Sequence, residues 1–383
     1  LNIWSAAIGM SGHAALVGTT DGLLGLLNLE SQAEIRRFGI GVPPIALAIS
    51  PDGRYLLTGN VAQQRGEATL WNLATGTQVH QLNVRDSTSI FDVAFSPDGK
   101  YAFLAASNFM GEPDAPSRVV LWDVATGEEV RRFDSEISGW TLSVAVSPDG
   151  RQMLTSSASM AQDRVQGGLI LWDVATGQRI RQFTTENTGS VVFSADGTRA
   201  LSGTYWGSDG HVSLWDVATG REIRRFEGGH NPGDAAFSVA FGPGETTVIS
   251  GSADSTLAVW DAETGKILRR FVGHDGAVWS RIRVSRDGRT VLSGSFGDVI
   301  LWDFKTGGIL RHVRGYTNWG NVIFGPDEQT AFSATGSAAD GIIEWRIADM
   351  PPDELLAWIY ANRYVREFTC GERAHYRIEP LCE

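Results

Sequence analysis

A repeated string constrains the fold of this chain more than any other feature of its 383 residues. The heptapeptide LWDVATG occurs three times, at 121–127, 171–177 and 214–220. Related strings extend the series in the same phase, and the anchor positions are Leu27, Trp71, Trp122, Trp172, Trp215, Trp260, Trp302 and Trp345. Neighbouring anchors lie 42 to 51 residues apart. A period of this length indicates a repeat architecture whose units pack mainly against their neighbours.

Each unit predicts four short strands, which we label a to d. Strand a ends at a Pro-Asp-Gly turn such as 97–99, and strand b is a small-residue run such as YLLTG at 55–59. Strand c carries the anchor, and strand d is a run such as EIRRF at 222–226. Proline pre-sets φ and glycine accepts a positive φ, so Pro-Asp-Gly and Ala-Thr-Gly predict tight a–b and c–d turns. Regular short strands at this spacing predict a closed all-β array.

These strings resemble those of the WD-repeat β-propellers, a family in which each repeat forms one four-stranded antiparallel blade. The resemblance covers residues 1–349 and rests on seven tryptophans in register, five of them followed by aspartate. It implies an all-β, eight-bladed propeller, with a seven-bladed ring and one displaced unit as the alternative. The first repeat lacks the tryptophan and the Pro-Asp-Gly turn, as expected of a terminal repeat. Because its strand a is expected at about Ile3–Ile8, either an upstream strand or the C-terminal tail would complete the last blade.

The resemblance also implies a structural network of histidine, serine or threonine, aspartate and tryptophan. It carries over fully to the sixth repeat, at His230, Ser250 or Ser252, Asp254 and Trp260. In the seventh repeat His274 is present, but Asp298 lies closer in sequence to Trp302 than Asp254 lies to Trp260. We therefore expect the complete network in the sixth repeat alone, and we assign structural roles to His230, Asp254 and the seven strand-c tryptophans.

Residues 350–383 are predicted to form a short C-terminal helical tail. Prolines and acidic residues at the start of this segment are typical of a helix N-terminus. Leu355, Leu356 and Ile359 form an apolar stripe, which predicts a helix to about Arg366 that packs on the propeller. A docking helix for a neighbouring domain is the alternative.

The tail resembles those of C-terminal propellers in large bacterial multidomain signalling proteins of the NTPase and kinase type. Leu1 is not a natural start, so we expect the chain to be either a piece of a longer protein or a processed product. As a piece of a longer protein, its neighbouring domains would be among its partners. Cys370 and Cys382 are compatible both with free thiols and with a disulfide.

The charge of the chain limits the class of partner. A formal net charge of −12 argues against binding to a nucleic-acid backbone, since nucleic-acid-binding proteins present basic surfaces. No apolar run approaches the length that crosses a bilayer, and the first residues carry no basic region of a signal peptide. We therefore expect a cytoplasmic protein without a membrane partner.

No string matches a catalytic motif. The seven histidines form no close metal-ligand pair, and neither a Gly-x-Ser-x-Gly elbow nor a phosphate-binding loop occurs. The aspartates that follow strand-c tryptophans fit a structural role, and they are Asp123, Asp173, Asp216, Asp261 and Asp303. We expect no enzyme activity and no catalytic, cofactor-binding or metal-binding residue. The alternative is a propeller enzyme or small-molecule binder with a site at the channel mouth, where Asp92, Asp234 and Asp275 form no convincing set.

The two ends of the predicted blades differ. Tight turns lie at one end, while the b–c and d–a connections at the other end carry the inserts 61–68, 108–117, 159–168 and 205–211. Variable loops on a rigid scaffold carry function, and aromatic residues and methionine are enriched at interfaces. Those that we assign to this end are Phe109, Met110, Trp140, Tyr205, Trp206, Trp279, Tyr316 and Trp319. We predict a non-enzymatic interaction, scaffold or sensor module that docks a protein or peptide there, with Glu112, Asp114 and Asp209 at the rim of the site. A purely architectural spacer without a ligand is an alternative. Packing between blades is the alternative for several of the aromatic residues.

Overall fold

The computed structural model describes much of the chain between residues 3 and 346. The described segments are 3–8, 14–19, 23–28, 34–39, 44–60, 66–72, 75, 77–84, 87–108, 116–159, 167–205, 210–231, 234–278, 282–285, 287–295, 298–314, 322–324, 330–334 and 342–346. Internal contacts divide the chain into a compact unit of Leu1–Trp345 and a second unit of Arg346–Glu383. The predicted tail helix, Cys370 and Cys382 lie outside the described residues.

The described strands form eight antiparallel sheets, seven with four strands and one with three. In each sheet, strands that are consecutive in the chain are neighbours. Sheets 1 to 4 contain β1 (Ile3–Ile8), β2 (Ala14–Thr19), β3 (Leu23–Asn28), β4 (Glu34–Gly39); β5 (Pro44–Ile49), β6 (Tyr55–Asn60), β7 (Gly66–Asn72), β8 (Gln78–Val84); β9 (Ser89–Phe95), β10 (Tyr101–Ser107), β11 (Pro116–Asp123), β12 (Glu129–Ser138); and β13 (Trp140–Val146), β14 (Gln152–Ala158), β15 (Gly168–Asp173), β16 (Arg179–Thr184).

The second half of the chain continues the same pattern. Sheets 5 to 8 contain β17 (Thr188–Phe193), β18 (Arg199–Thr204), β19 (Val212–Asp216), β20 (Glu222–Phe226); β21 (Ala236–Phe241), β22 (Thr247–Ser252), β23 (Thr256–Asp261), β24 (Ile267–Val272); β25 (Arg283–Val284), β26 (Thr290–Gly294), β27 (Asp298–Asp303), β28 (Ile309–Arg314); and β29 (Val322–Phe324), β30 (Thr330–Ala334), β31 (Ile342–Arg346). A single 3₁₀ turn, Pro243–Glu245, separates β21 from β22 in the described part of the chain.

The a–b turns are held by their own side chains. In sheet 3, Ser96 Oγ donates to Asp98 Oδ1 at 2.6 Å, and the same oxygen accepts the Lys100 N–H at 3.1 Å. Gly99 has φ of 71°, the positive value that the turn sequence predicts. Equivalent serine–aspartate bonds occur at Ser50–Asp52, Ser147–Asp149, Ser194–Asp196 and Ser285–Asp287. Each of these turns therefore provides hydrogen bonds for its own carboxylate.

The c–d turns are closed by the aspartate that follows the anchor tryptophan. Asp173 Oδ1 accepts the N–H and the hydroxyl of Thr176, each at 2.7 Å. These bonds, led by the hydroxyl, hold the pKa of Asp173 below its ordinary value. The same contacts join Asp123 to Thr126, Asp216 to Thr219, Asp261 to Thr264 and Asp303 to Thr306. The repeated aspartates thus stabilise turns.

A β-bulge recurs in strand d of every four-stranded sheet. In sheet 5, Trp215 pairs with Glu222 and Leu214 pairs with Arg224, so the register of the ladder shifts by one residue at Ile223. The residues at the corresponding shifts are Ile35, Val79, Val130, Ile180, Ile223, Leu268 and Leu310. A bulge twists an edge strand and makes it a poorer template for pairing with another chain.

The core lies between successive sheets. In one buried cluster, Leu214 and Phe226 of sheet 5 pack with Val248 and Trp260 of sheet 6. The first strand of each sheet contacts the first strand of the next, and β1 also contacts β29 and β30 of sheet 8. The sheets therefore follow one another in a cyclic order, which is consistent with a β-propeller.

Candidate functional site

The repeated tryptophans join neighbouring sheets through a phenylalanine of strand d. The ring centroids lie 5.8 Å apart for Phe133–Trp172, 5.5 Å for Phe183–Trp215, 5.6 Å for Phe226–Trp260 and 5.2 Å for Phe271–Trp302. Leu82 stands at the phenylalanine position before Trp122, and both belong to one buried cluster. Aromatic pairs at these distances add to the free energy of apolar burial. The phenylalanines are not among the structural residues predicted from the sequence, although the string RRF recurs with the same period.

Most of these tryptophans also bond to strand b of their own sheet. The indole N–H donates to a hydroxyl in the pairs Trp71–Thr58 (3.3 Å), Trp172–Thr155 (2.9 Å), Trp215–Ser202 (2.8 Å), Trp260–Ser250 (3.1 Å) and Trp302–Ser293 (2.8 Å). Trp122 differs, because its buried Nε1 has no hydrogen-bond partner among the described atoms. The backbone of Trp345 lies in β31, and its side chain is outside the description.

The four residues predicted in the sixth repeat form a continuous series of hydrogen bonds. Trp260 Nε1 donates to Ser250 Oγ, which lies 2.7 Å from His230 Nε2. His230 Nδ1 lies 3.2 Å from Asp254 Oδ2. Because a carboxylate can only accept, neutral His230 carries its proton on Nδ1 and accepts the Ser250 hydroxyl at Nε2. Of the two serines that the sequence left open, Ser250 is the member of the network, and Ser252 Oγ accepts the Asp254 N–H at 3.2 Å.

Sheet 7 contains a second complete network, so the expectation that sheet 6 alone would have one is wrong. Trp302 Nε1 donates to Ser293 Oγ, which lies 2.7 Å from His274 Nε2. His274 Nδ1 lies 2.5 Å from Asp298 Oδ1. The four side chains thus repeat the arrangement of sheet 6 despite the shorter spacing between aspartate and tryptophan.

Strand register explains why the shorter spacing is tolerated. Asp298 is the first residue of β27, and Thr256 is the first residue of β23. The Thr256 hydroxyl lies 3.3 Å from His230 Nδ1, so the first position of strand c faces the histidine. A carboxylate placed there, as in Asp298, reaches the histidine without the longer b–c turn that carries Asp254.

Asp298 has partners beyond the network. His312 Nε2 in strand d lies 2.8 Å from Asp298 Oδ2, which also accepts the Asp275 N–H at 3.0 Å. Oδ1 accepts the Ser295 hydroxyl as well as His274. The ligating atoms of Asp275, Asp298 and His312 lie within 4.8 Å of one another, and these residue types bind divalent metals. Since four donors already fill the acceptor positions of Asp298, hydrogen bonding accounts for the arrangement without a cation.

Both network carboxylates are held in their charged form. Burial by itself would raise the pKa of Asp254, but hydrogen bonds led by that of His230 lower the pKa to about 2. Burial acts on Asp298 in the same direction, and the hydrogen bond and charge of His274 bring the pKa to about 2. The side chains of the two aspartates are 1% and 0% exposed. Each histidine therefore stabilises a buried negative charge.

Two of the predicted partner-binding residues lie in the described part of the chain. Trp140 begins β13 in sheet 4, and Tyr205 follows β18 in sheet 5, so both lie at the end of the b–c and d–a connections. Each is partly exposed. The ring centroids of Tyr205 and of Phe237 in sheet 6 lie 5.6 Å apart. Burial raises the pKa of the Tyr205 hydroxyl. Outside the described residues lie Phe109, Met110, Trp206, Trp279, Tyr316 and Trp319, together with Glu112, Asp114 and Asp209.

A small pocket lies between sheets 3 and 4 near the same end of the strands. Its lining is Arg118, Val119, Phe133, Ser135, Thr141, Thr155, Ser157 and Trp172. Arg118 Nε lies 3.3 Å from Asp134 Oδ1. Thr141 Oγ1 is buried and has no hydrogen-bond partner among the atoms described. A polar pocket with an unsatisfied hydroxyl suits a water or a polar group of an incoming segment.

The three aspartates considered for a channel-mouth site belong to different parts of the fold. Asp92 in β9 accepts the Ser143 hydroxyl at 3.1 Å and the Val144 N–H at 2.9 Å, both from sheet 4. Asp234 precedes β21, whereas Asp275 follows β24 beside the network of sheet 7. The structure therefore assigns Asp92 to a sheet junction and places Asp275 beside the network of sheet 7.

Three consecutive segments match the family model described as WD domain, G-beta repeat, at residues 177–216, 220–261 and 265–303. Each match begins at the glycine of a c–d turn and ends at the aspartate after the next anchor, so it spans strand d of one sheet and strands a to c of the next. The matches support assignment to the WD-repeat family, whose repeats generally mediate protein–protein interaction and scaffolding and are typically non-catalytic. No curated protein matches the chain. Within the described residues, no helix has the length and apolar character that crossing a membrane requires.

Proposed function

We propose that this chain is a non-enzymatic interaction module that docks a protein or peptide on the face formed by its b–c and d–a connections. The observation that carries the proposal is the contrast between the two ends of the strands. At the turn end, carboxylates bond inside their own turns, as Asp98 does with Ser96. At the other end lie Trp140, Tyr205, the pocket beside Thr141 and the longest connections of the chain.

Rigid junctions support the docking role. The phenylalanine–tryptophan pairs and the two histidine networks hold neighbouring strands in fixed positions, and Asp92 ties β9 to β13. A preorganised surface loses less conformational entropy when it binds. Phe109, Met110 and Trp206 would supply apolar contacts, as aromatic side chains and methionine do at interfaces. The net charge of −12 favours a basic partner.

The proposal includes an architecture. Eight anchors in the sequence and eight sheets in the fold support an eight-bladed propeller over residues 1–349. Residues 350–383 would form a helical tail packed on it. The resemblance of the tail supports a place in a larger bacterial signalling protein of the cytoplasm, where the propeller senses a partner or restrains a neighbouring effector domain.

Substitution of the loop-face side chains tests the docking face. Phe109, Met110 and Trp206 are changed together to serine, and capture from cells that carry the gene is measured by cross-linking and quantitative mass spectrometry. We expect proteins enriched by the wild-type chain to be lost from the variant. The melting temperature should be unchanged, since the sequence predicts these residues on connections between strands.

A matched control changes three exposed basic residues at the turn end, Arg54, Lys100 and Arg289, to serine. Their side chains are 75%, 73% and 84% exposed, so the control removes comparable surface without touching the core. The control should capture the same proteins as the wild-type chain. Capture that survives the loop-face substitutions but fails in the control would place the partner on the opposite end.

A further inference from the structure

The strand-d bulge places one aliphatic residue on the outer edge of each four-stranded sheet. Among those whose side chains the structure describes, five are exposed, namely Val130 (47%), Ile180 (43%), Ile223 (46%), Leu268 (51%) and Leu310 (38%). Single exposed aliphatic residues are ordinary on protein surfaces. A bulge residue therefore indicates a binding surface only where further exposed apolar residues lie beside it.

Sheets 6 and 7 differ from sheets 3 to 5 in the residue that begins strand d. This residue is charged in sheets 3 to 5, as Glu129, Arg179 and Glu222. It is Ile267 in sheet 6 and Ile309 in sheet 7, with exposed fractions of 41% and 45%. Strand d therefore begins with two apolar residues in sheets 6 and 7. In sheets 3 to 5 it begins with one charged residue followed by one apolar residue.

An apolar residue of sheet 7 reaches the end of β24 in sheet 6. Val272, the last residue of β24, is 68% exposed. The Ile309 Cδ1 atom lies 2.7 Å from the position that a Cβ on Gly273 would occupy, so Ile309 packs directly beside the end of β24. Leu310 follows Ile309 in β28. We name Val272, Ile309 and Leu310 the outer patch.

The segments around the outer patch are basic, although the whole chain is acidic. Residues 261–272 and 303–314 contain six lysines and arginines and three acidic residues. Two of these acids, Asp261 and Asp303, are bonded inside the c–d turns. Lys305 is exposed in the turn that leads into β28. The surface is therefore complementary to a ligand that combines apolar and negatively charged groups.

We propose that the outer patch binds a short peptide segment of a partner protein that carries aliphatic and acidic side chains. The aliphatic side chains cover Val272, Ile309 and Leu310, and the carboxylates lie beside Lys305 and the arginines of β24. The bulge at Leu310 weakens the edge as a template for strand addition, so recognition is through side chains. This surface lies on the outer strands and is independent of the loop face in the proposed function.

Charge argues against two other occupants. A two-fold contact between two outer patches brings the same basic surface together from both copies, which opposes self-association. A membrane with anionic lipids repels a chain whose net charge is −12. A peptide is small enough to respond to the local basic surface alone.

Fluorescence polarisation with three labelled peptides of equal length tests the proposal. One peptide alternates leucine with glutamate, the second leucine with lysine and the third serine with glutamate. The leucine–glutamate peptide should bind saturably, and the other two should bind at least about tenfold more weakly, a difference of about 1.4 kcal/mol. The triple loop-face variant at Phe109, Met110 and Trp206 should bind this peptide as the wild-type chain does.

Substitutions locate the binding surface. Leu310→Asp and Lys305→Glu should each weaken binding of the leucine–glutamate peptide about tenfold. Val130→Asp, at the equivalent bulge of sheet 3, is the matched control and should bind normally. The proposal is overturned by equal affinity for all three peptides, by an equal loss in Val130→Asp, or by normal binding in Lys305→Glu. Self-association of the wild-type chain that Leu310→Asp abolishes, without peptide binding, would assign the patch to a second copy.

Discussion

Leu104 occupies the position in β10 that would supply a hydrogen-bond acceptor for Trp122. Trp122 pairs with Ala102, and the residue two places further along strand b is Leu104. In five other sheets that place holds the serine or threonine that accepts the indole N–H. Leu104 is fully buried and has no hydroxyl, so the Trp122 N–H has no acceptor among the described residues.

This difference predicts unequal costs for the same substitution at two anchors. Trp215→Phe removes the hydrogen bond to Ser202 and leaves a buried hydroxyl without its donor, whereas Trp122→Phe removes an N–H that is already unsatisfied. We expect Trp215→Phe to lower the free energy of unfolding by about 1–3 kcal/mol more than Trp122→Phe does. Urea denaturation of both variants measures the difference. Equal losses would show that the Trp122 N–H finds a partner, such as a buried water.

Complete truncation of an anchor should be severely destabilising. Trp215 is 4% exposed and packs against Phe183 at 5.5 Å. Trp215→Ala should therefore lower the free energy of unfolding by about 3–5 kcal/mol, as for other large buried aromatic residues. The exposed Ile223 in the next strand provides the control, since Ile223→Ala should change stability by no more than about 0.5 kcal/mol. A loss below about 1 kcal/mol for Trp215→Ala would contradict the anchor role.

Coupling between neighbouring sheets can be measured at Phe226 and Trp260. Their ring centroids lie 5.6 Å apart and both side chains are buried. A double-mutant cycle with leucine at both positions should give a coupling free energy of about 0.5–1.5 kcal/mol. The same cycle with Phe226 and Trp172, which belong to different buried clusters, should be additive. Additivity at Phe226 and Trp260 would mean that the aromatic contact contributes nothing beyond apolar burial.

The buried carboxylate of sheet 7 should make stability depend on pH in a defined window. The folded-state pKa of Asp298 is lowered from 3.8 to about 2, so the unfolded state takes up a proton first as the pH falls. The corresponding stability is present above about pH 4 and is lost as the pH falls through about 2, with a total of roughly 2 kcal/mol. Asp298→Asn should lack this pH dependence. The difference in free energy of unfolding between the wild-type chain and Asp298→Asn should therefore become smaller from pH 5 to pH 2.5.

Asp254→Asn in sheet 6 provides a second measurement of the same effect, because the pKa of Asp254 is also about 2. If Asp298→Asn lowers the free energy of unfolding by the same amount at every pH from 5 to 2.5, the loss comes from packing and not from the charge.

Local sequence predicted the repeating unit and its turns correctly. Pro-Asp-Gly and Asp-x-x-Thr-Gly strings form turns whose bonds lie within a few residues, so Gly99 and Thr176 take the positions that the sequence indicates. Spacing along the chain does not predict the network of sheet 7. Register decides which side chain faces His274, and β27 begins with the aspartate itself.

The sequence by itself determined the period, the four strands of each unit, the tight turns and the division between a uniform end and a variable end. These features depend on backbone preferences and on hydrogen bonds between near neighbours in the chain. The tertiary structure decided which phenylalanine meets which tryptophan, which hydroxyl receives each indole N–H and where exposed aliphatic residues adjoin across a junction. Those relationships join residues of different strands and sheets, so they depend on register and on the direction of each side chain, which no single repeat encodes.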